Sequence, residues 1–146
     1  MQHSDSSIPR SGSIAAILPA AGSGQRFGAD SNKLFAELSG KPLWFHAVSR
    51  LAASDAVGRL VLVVSEVDES VFHTRYATLI DQLGIELVRG GSERTDSVQA
   101  GLEHLAGDSE VEMVAIHDAA RPLVLPEDLE TVFSVASSTG AAILAT

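Results

Sequence analysis

Apolar positions fall into short blocks separated by glycine-rich or polar stretches, and the blocks alternate between two periods. Ile14 to Leu18 is an unbroken apolar run that predicts a strand. A loop with Gly22, Gly24 and Gly28 follows. Leu38 to Pro42 is turn chemistry, and Pro42 predicts the first position of a helix. Trp44, Ala47, Val48 and Leu51 then recur at i, i+3, i+4 and i+7, giving that helix one apolar face. Leu60 to Val64 is apolar and β-branched, the mark of a strand covered on both faces. Phe72, Tyr76, Leu79, Ile80 and Leu83 predict the next helix, with Gly84 just past its end. Ile85 to Val88 predicts a short strand, and Gly90-Gly91-Ser92 a second glycine turn. A helix with Val98, Leu102 and Leu105 on one side comes next, then a strand from Val111 to Ile116. Pro126 opens a last helix with Glu127 and Asp128 in its first turn, where carboxylates suit the dipole. Leu129, Val132, Phe133 and Ala136 form its stripe, Gly140 ends it, and Ala141 to Ala145 predicts a further strand.

The resulting order, βαβαβαβαβ, predicts an α/β fold: a Rossmann-like three-layer sandwich with a mostly parallel sheet and helices on both faces. Ligands of such sheets bind beyond the carboxyl ends of the strands, at the switch point. The loop from Pro19 to Gly28 lies there. In a 3-2-1-4 strand order, Asp118 after the fourth strand faces that loop. A chain ending on a strand that should feed an active-site loop leads to the expectation of a domain whose C-terminal part is missing.

Composition narrows the classes. The 146 residues allow one domain, 13–146, after a polar, Ser-rich tail, 1–12, expected to be disordered and lacking the apolar core of a secretory signal. A net charge of −9 argues against nucleic-acid and anionic-membrane partners, and no apolar run approaches a membrane span. A cytoplasmic location is expected. Without cysteine there is no disulfide, thiolate metal site or thiol nucleophile. Against that negative field, the cations Arg26 and Lys33 in a loop of small residues stand out.

A glycine loop lets backbone amides approach phosphate, and the two cations can neutralise its oxygens. The glycines alone are as consistent with an ordinary strand-to-helix turn. A Walker loop is excluded because its Gly-Lys-Ser/Thr is absent. A dinucleotide fingerprint fits poorly: the third glycine comes one residue late, and no acidic residue sits about 20 positions on. The segment Ala20-Ala21-Gly22-Ser23-Gly24-Gln25-Arg26-Phe27-Gly28, then Lys33, resembles the sugar nucleotidyltransferase signature. With Gly90 to Val98 and the run His117-Asp118-Ala119-Ala120-Arg121-Pro122, it strongly resembles the 2-C-methyl-D-erythritol 4-phosphate cytidylyltransferase family. The resemblance covers residues 14–146, roughly the first two-thirds of such an enzyme. Leu34 departs from it, standing where the family usually has Gln.

The resemblance implies transfer of a cytidylyl group from CTP to 2-C-methyl-D-erythritol 4-phosphate, releasing pyrophosphate, in non-mevalonate isoprenoid precursor synthesis. It implies Arg26 and Lys33 as catalytic cations and Asp118 as a Mg²⁺ ligand. Pro19, Ala20, Ala21, Gly22, Gly24, Gly91, Ser92, Ala119 and the Ser97 side chain would bind the nucleotide, and Arg121 would approach the acceptor. A homodimer, through an arm in the remainder of the family's chain, is also implied. Read without the resemblance, Asp118 is a turn cap, Arg94 and Asp96 are equally a local ion pair and cap or ligands, His117 orients its loop, and Lys41 and Arg59 are solvated surface. Ribitol 5-phosphate cytidylyl transfer is the nearest rival, with Ala119-Ala120 leaning against it, and a nucleotide-binding fragment without catalysis is another. With the nucleotide half present and most of the acceptor half absent, the expectation for 146 residues is weak CTP binding, nonspecific association and no measurable product.

Overall fold

The computed structural model describes residues 8–21 and 33–143. At its centre is strand β1, Ile14–Pro19, whose six residues are all buried. It lies parallel between β4, Val57–Val64, and β6, Met113–Ile116, while β5, Ile85–Arg89, pairs on the far side of β4. The order β5-β4-β1-β6 is the expected 3-2-1-4 arrangement. Ala16 sits opposite Leu60 on one side and Ala115 on the other. A two-residue hairpin, β2 (Glu37–Leu38) and β3 (Lys41–Pro42), stands apart from the sheet.

Because side chains alternate along a strand, β1 and β4 divide the core into two layers. Ile14, Ala16, Leu18, Leu60, Leu62 and Val64 meet α1 (Leu43–Ala52), α2 (Glu66–Thr74), α3 (Ala77–Leu83) and α5 (Pro126–Thr139). Ala15, Ile17, Val61 and Val63 meet α4, Arg94–Leu105. The sequence stripe Trp44, Ala47, Val48, Leu51 is the buried face of α1. Gly84 closes α3 with a left-handed φ of 65°, as its position past the stripe predicts.

Several elements differ from the sequence expectation. Pro42 precedes α1 as its N-cap and ends β3, because the hairpin consumes the turn residues up to it. The stripe from Phe72 to Leu83 is carried by two helices. Tyr76, at φ −113° and ψ 16°, interrupts the run, and the amides of Arg75 and Tyr76 both turn back to the Val71 carbonyl. On α4 the sheet-facing residues are Ser97, Gly101 and Leu105, whereas Leu102 is exposed. A Cβ at Gly101 would lie 2.8 Å from Ile17 Cγ2, so a hydrogen there lets α4 approach the sheet. Residues 141–143 carry no strand, and the remainder of the expected Ala141–Ala145 strand lies outside the described residues.

Arg59 is not solvated surface. Its guanidinium donates Nε to Glu86 Oε2 at 2.9 Å and Nη1 to Asp108 Oδ2 at 2.8 Å, tying β4 to β5 and to the turn after α4. His104 joins through Nε2 and Glu86 Oε1, 2.8 Å apart. The Arg59 hydrogen bond holds the Glu86 carboxyl down at about 2, and the same contacts hold Arg59 above its already high ordinary value.

Candidate nucleotide site

Three loops leave the carboxyl edge of the sheet, and short backbone bonds fix their starts. Ala20 donates its amide to the Val63 carbonyl at 2.7 Å, Gly90 donates to Val64 at 2.8 Å, and His117 donates to Ile17 at 3.0 Å. Ala119 donates to Pro19 at 3.3 Å. The first residues after β1, β5 and β6 are thus pinned to one another through β4 and β1. The ends of β5 and β6 are three strand spacings apart, roughly 14 Å. That is about the reach of an extended nucleoside triphosphate, with the β1 loop between its ends.

At the β5 end, Gly91 and Ser92 are exposed, and their amides have no backbone partner among the described residues. A Cβ at Gly91 would come within 2.6 Å of Asp96 Cβ. Asp96 accepts from the Glu93 amide at 3.2 Å, which is the cap of its local reading. No ion pair joins it to Arg94 among the described residues. Ser97, one residue further along α4, is fully buried, and its Oγ has no hydrogen-bond partner there. Gly90 covers it so closely that a Cβ on Gly90 would strike Ser97 Oγ and stand 2.7 Å from Val63 Cγ1. Gly90 carries no role in the resemblance, and its sequence signal is the doubled glycine before a helix start. Arg89 ends β5 just ahead of this turn. It donates Nη2 to Glu69 Oε1 at 2.6 Å, which holds the Glu69 carboxyl below its ordinary value.

At the β1 end, Pro19 is the last strand residue, Ala20 is buried and Ala21 half-buried. The amides of Ala20 and Ala119 serve the loop bonds above, so any ligand contact from these two falls to other groups. Lys33 is exposed at the head of a 3-10 turn, Lys33–Phe35. Gly22, Gly24 and Arg26 lie outside the described residues.

At the β6 end, Asp118 does make the turn that its alternative reading predicted. Its Oδ1 accepts from the Ala120 amide at 2.9 Å, and His117 Nε2 stands 2.8 Å from the Arg121 carbonyl, orienting the loop. Asp118 Oδ2 is 4.0 Å from Arg121 Nε, and the Asp118 side chain is about a third exposed. Asp118 and the exposed Arg121 line one end of a groove of about 860 Å³ between β6, the 117–124 loop and α5. No group of three acidic, His or Cys side chains that could enclose a metal occurs among the described residues. Mg²⁺ does not require one: it is commonly held by one or two carboxylates together with substrate phosphates and water, which a single partly exposed carboxylate such as Asp118 suits.

This arrangement can be set against known proteins. The family model described as IspD, 2-C-methyl-D-erythritol 4-phosphate cytidylyltransferase, matches residues 14–146. A curated protein of that name from Rhodopirellula baltica is 52% identical over 142 residues, covering 91% of this chain and 58% of the relative. Another, from Pelotomaculum thermopropionicum, is 40% identical and covers 90% and 55%. A solved structure of 4-diphosphocytidyl-2C-methyl-D-erythritol synthase superposes with a TM-score of 0.69 at 25% identity, covering 86% of this chain and 55% of that one. The corresponding Anaerococcus prevotii structure gives 0.67, with 85% and 50% covered. The chain therefore spans about half the length of the curated relatives it matches.

Proposed function

Because the chain belongs to the 2-C-methyl-D-erythritol 4-phosphate cytidylyltransferase family, we propose that its site serves cytidylyl transfer from CTP to 2-C-methyl-D-erythritol 4-phosphate, in non-mevalonate isoprenoid precursor synthesis. An acceptor phosphate oxygen attacks the α-phosphorus of CTP. The bond from that phosphorus to the bridging oxygen breaks, and pyrophosphate leaves with the electron pair. The acceptor is already largely dianionic near neutral pH, since a phosphate monoester loses its second proton at about 6. No side chain has to take a proton. The barrier is the approach of one anion to another, so alignment and positive charge carry the catalysis.

The observation that carries the reading is the pinning of three loops at one sheet edge, with an unpartnered buried hydroxyl, Ser97 Oγ, beneath the β5 turn. In this reading the Gly91 and Ser92 amides and Ser97 take the cytidine end. Lys33 and Arg26 face the α-phosphate, with the backbone of Pro19, Ala20, Ala21, Gly22, Gly24 and Ala119 around the nucleotide. Asp118 would hold Mg²⁺, which when bound neutralises triphosphate charge and polarises the phosphoryl group under attack. Arg121, on the rim of the groove beside β6, would meet the acceptor phosphate. The working enzyme in this reading is a cytoplasmic homodimer.

Calorimetric titration with CTP, ATP, GTP and UTP, with and without Mg²⁺, tests the nucleotide side, and pyrophosphate release on adding the acceptor tests the reaction. CTP with Mg²⁺ should bind most tightly. Asp118→Asn, whose amide oxygen can still accept from Ala120, should weaken only the Mg²⁺-dependent part. Equal affinities for the four nucleotides would overturn base selection. Release stimulated by ribitol 5-phosphate rather than the methylerythritol phosphate would overturn the acceptor.

A further inference from the structure

Lys33 occupies the exposed end of a single turn whose other two residues are gripped by the core. Leu34 is fully buried. The Phe35 ring stacks on Tyr76 with centroids 5.7 Å apart and planes 25° from parallel, and tilts against Phe72 at 5.5 Å. Trp44 closes the cluster, edge-on to Phe72 and to Tyr76 at 5.3 Å each. The backbone is fastened as well. Ala36 donates its amide to the Lys33 carbonyl at 3.1 Å, and Leu43, the first residue of α1, donates to the Ala36 carbonyl at 2.9 Å. The cluster is built for packing rather than for hydrogen bonding: Trp44 Nε1 and Tyr76 Oη are buried and have no partner among the described residues, although buried Trp and Tyr usually find one. Tyr76 reaches this cluster because it interrupts the helical run between α2 and α3.

A lysine is a point charge on a flexible stem, and its placement depends on where its backbone is held. We propose that Phe35 and Tyr76 are positioning residues for Lys33, an aromatic clamp that fixes the backbone from which the Lys33 ammonium reaches the triphosphate. The clamp rests on the reading of Lys33 as a phosphate-facing cation. It also explains why the helical stripe breaks at Tyr76: the ring serves the turn before α1 as well as the core beneath it.

The test is a double-mutant cycle on the chain itself, read as CTP affinity in the presence of Mg²⁺ and well below the melting temperature of every variant. Trp44, the sole tryptophan, reports through its emission whether the cluster is intact before ligand is added. Lys33→Ala should weaken CTP binding about tenfold, the scale of one charge-assisted contact. Phe35→Ala should weaken it by about five- to tenfold, and the double variant should be no weaker than Lys33→Ala within about twofold, because the clamp acts only through the lysine. Phe35→Tyr and Tyr76→Phe keep the stack and should bind as the parent does. Phe35→Leu keeps most of the apolar volume without a ring, and should lose affinity while still folding. Wild-type affinity in Phe35→Ala or Phe35→Leu beside a weakened Lys33→Ala overturns the clamp alone, as does a double variant in which the two losses add. A Lys33→Ala chain that binds as tightly as the parent, or a parent that does not bind CTP, overturns the nucleotide reading and the clamp with it.

Discussion

Ser97 separates the two demands made on a site residue. A buried hydroxyl without a partner costs about 1–3 kcal/mol of folding free energy, and deleting it leaves only a small hole. Ser97→Ala should therefore leave stability unchanged or raise it by about 1 kcal/mol, measured by denaturant unfolding. If Ser97 Oγ meets the cytidine, the same substitution should weaken CTP binding several-fold, measured by calorimetry. A destabilised variant with unchanged affinity would show that the hydroxyl serves the fold through a contact to the Gly90 turn. At this scale the sequence located much of the candidate site without describing it. Asp118, Ser97 and the doubled glycine could be picked out by motif. The clash that forbids a side chain at Gly90 and the amides of Ala20 and Ala119 engaged in loop bonds could not, because each depends on what a residue distant in sequence places against it.

At the scale of elements, hydrophobic period placed the strands well and the helix faces less well. A strand covered on both faces is apolar throughout, so Leu60 to Val64 and Ile14 to Leu18 announce themselves, whereas the Val57-Gly58-Arg59 start of β4 does not. The α4 face was misread because its closest approach uses Gly101 and Ser97, small residues that carry no hydrophobic signal, whereas the conspicuous Leu102 points to solvent. The α2–α3 break was hidden because Tyr76 keeps its place in the stripe while leaving helical geometry. Charge pairing was hidden as well. Nothing local marks Arg59 as the residue that fastens β4, β5 and the turn after α4. Its bond holds Glu86 at about 2 against an ordinary 4.5. A carboxyl depressed in the folded state contributes stability that is fully present above about 4.5 and fades as pH falls from there toward about 2. The groups meeting Glu86 are Arg59 and His104, with Asp108 sharing the arginine. Glu86→Gln should be less stable than the parent at neutral pH, and the gap should narrow as unfolding is repeated at successively lower pH below about 4.5. A gap that does not change with pH would mean that the ion pair contributes nothing beyond its neutral hydrogen bonds.

At the scale of the whole molecule, two features oppose each other. The chain carries a net charge of −9, which keeps copies apart at low ionic strength. Strand β6 pairs with β1 on one side only among the described residues. Val114 and Ile116, which point to the α4 side of the sheet, are 38% and 46% exposed, and Leu123, Leu125 and Ile143 add exposed apolar surface. An edge strand with apolar side chains is a template for strand pairing between molecules. Repulsion spread over a surface is screened once the Debye length shrinks to about 8 Å at physiological salt, whereas apolar burial and strand pairing are not weakened by salt. The balance should therefore tip with ionic strength: a dispersed chain near 0.02 M salt and growing association above roughly 0.15 M, followed by light scattering and sedimentation. Ile116→Lys puts a charge on the β6 edge strand, a common protection of edge strands. It also lowers the magnitude of the net charge by one, so a purely electrostatic account predicts that this variant associates more readily than the parent. The edge account predicts the opposite, a chain that stays dispersed at high salt. Association of Ile116→Lys equal to or greater than that of the parent would assign the contact to another surface.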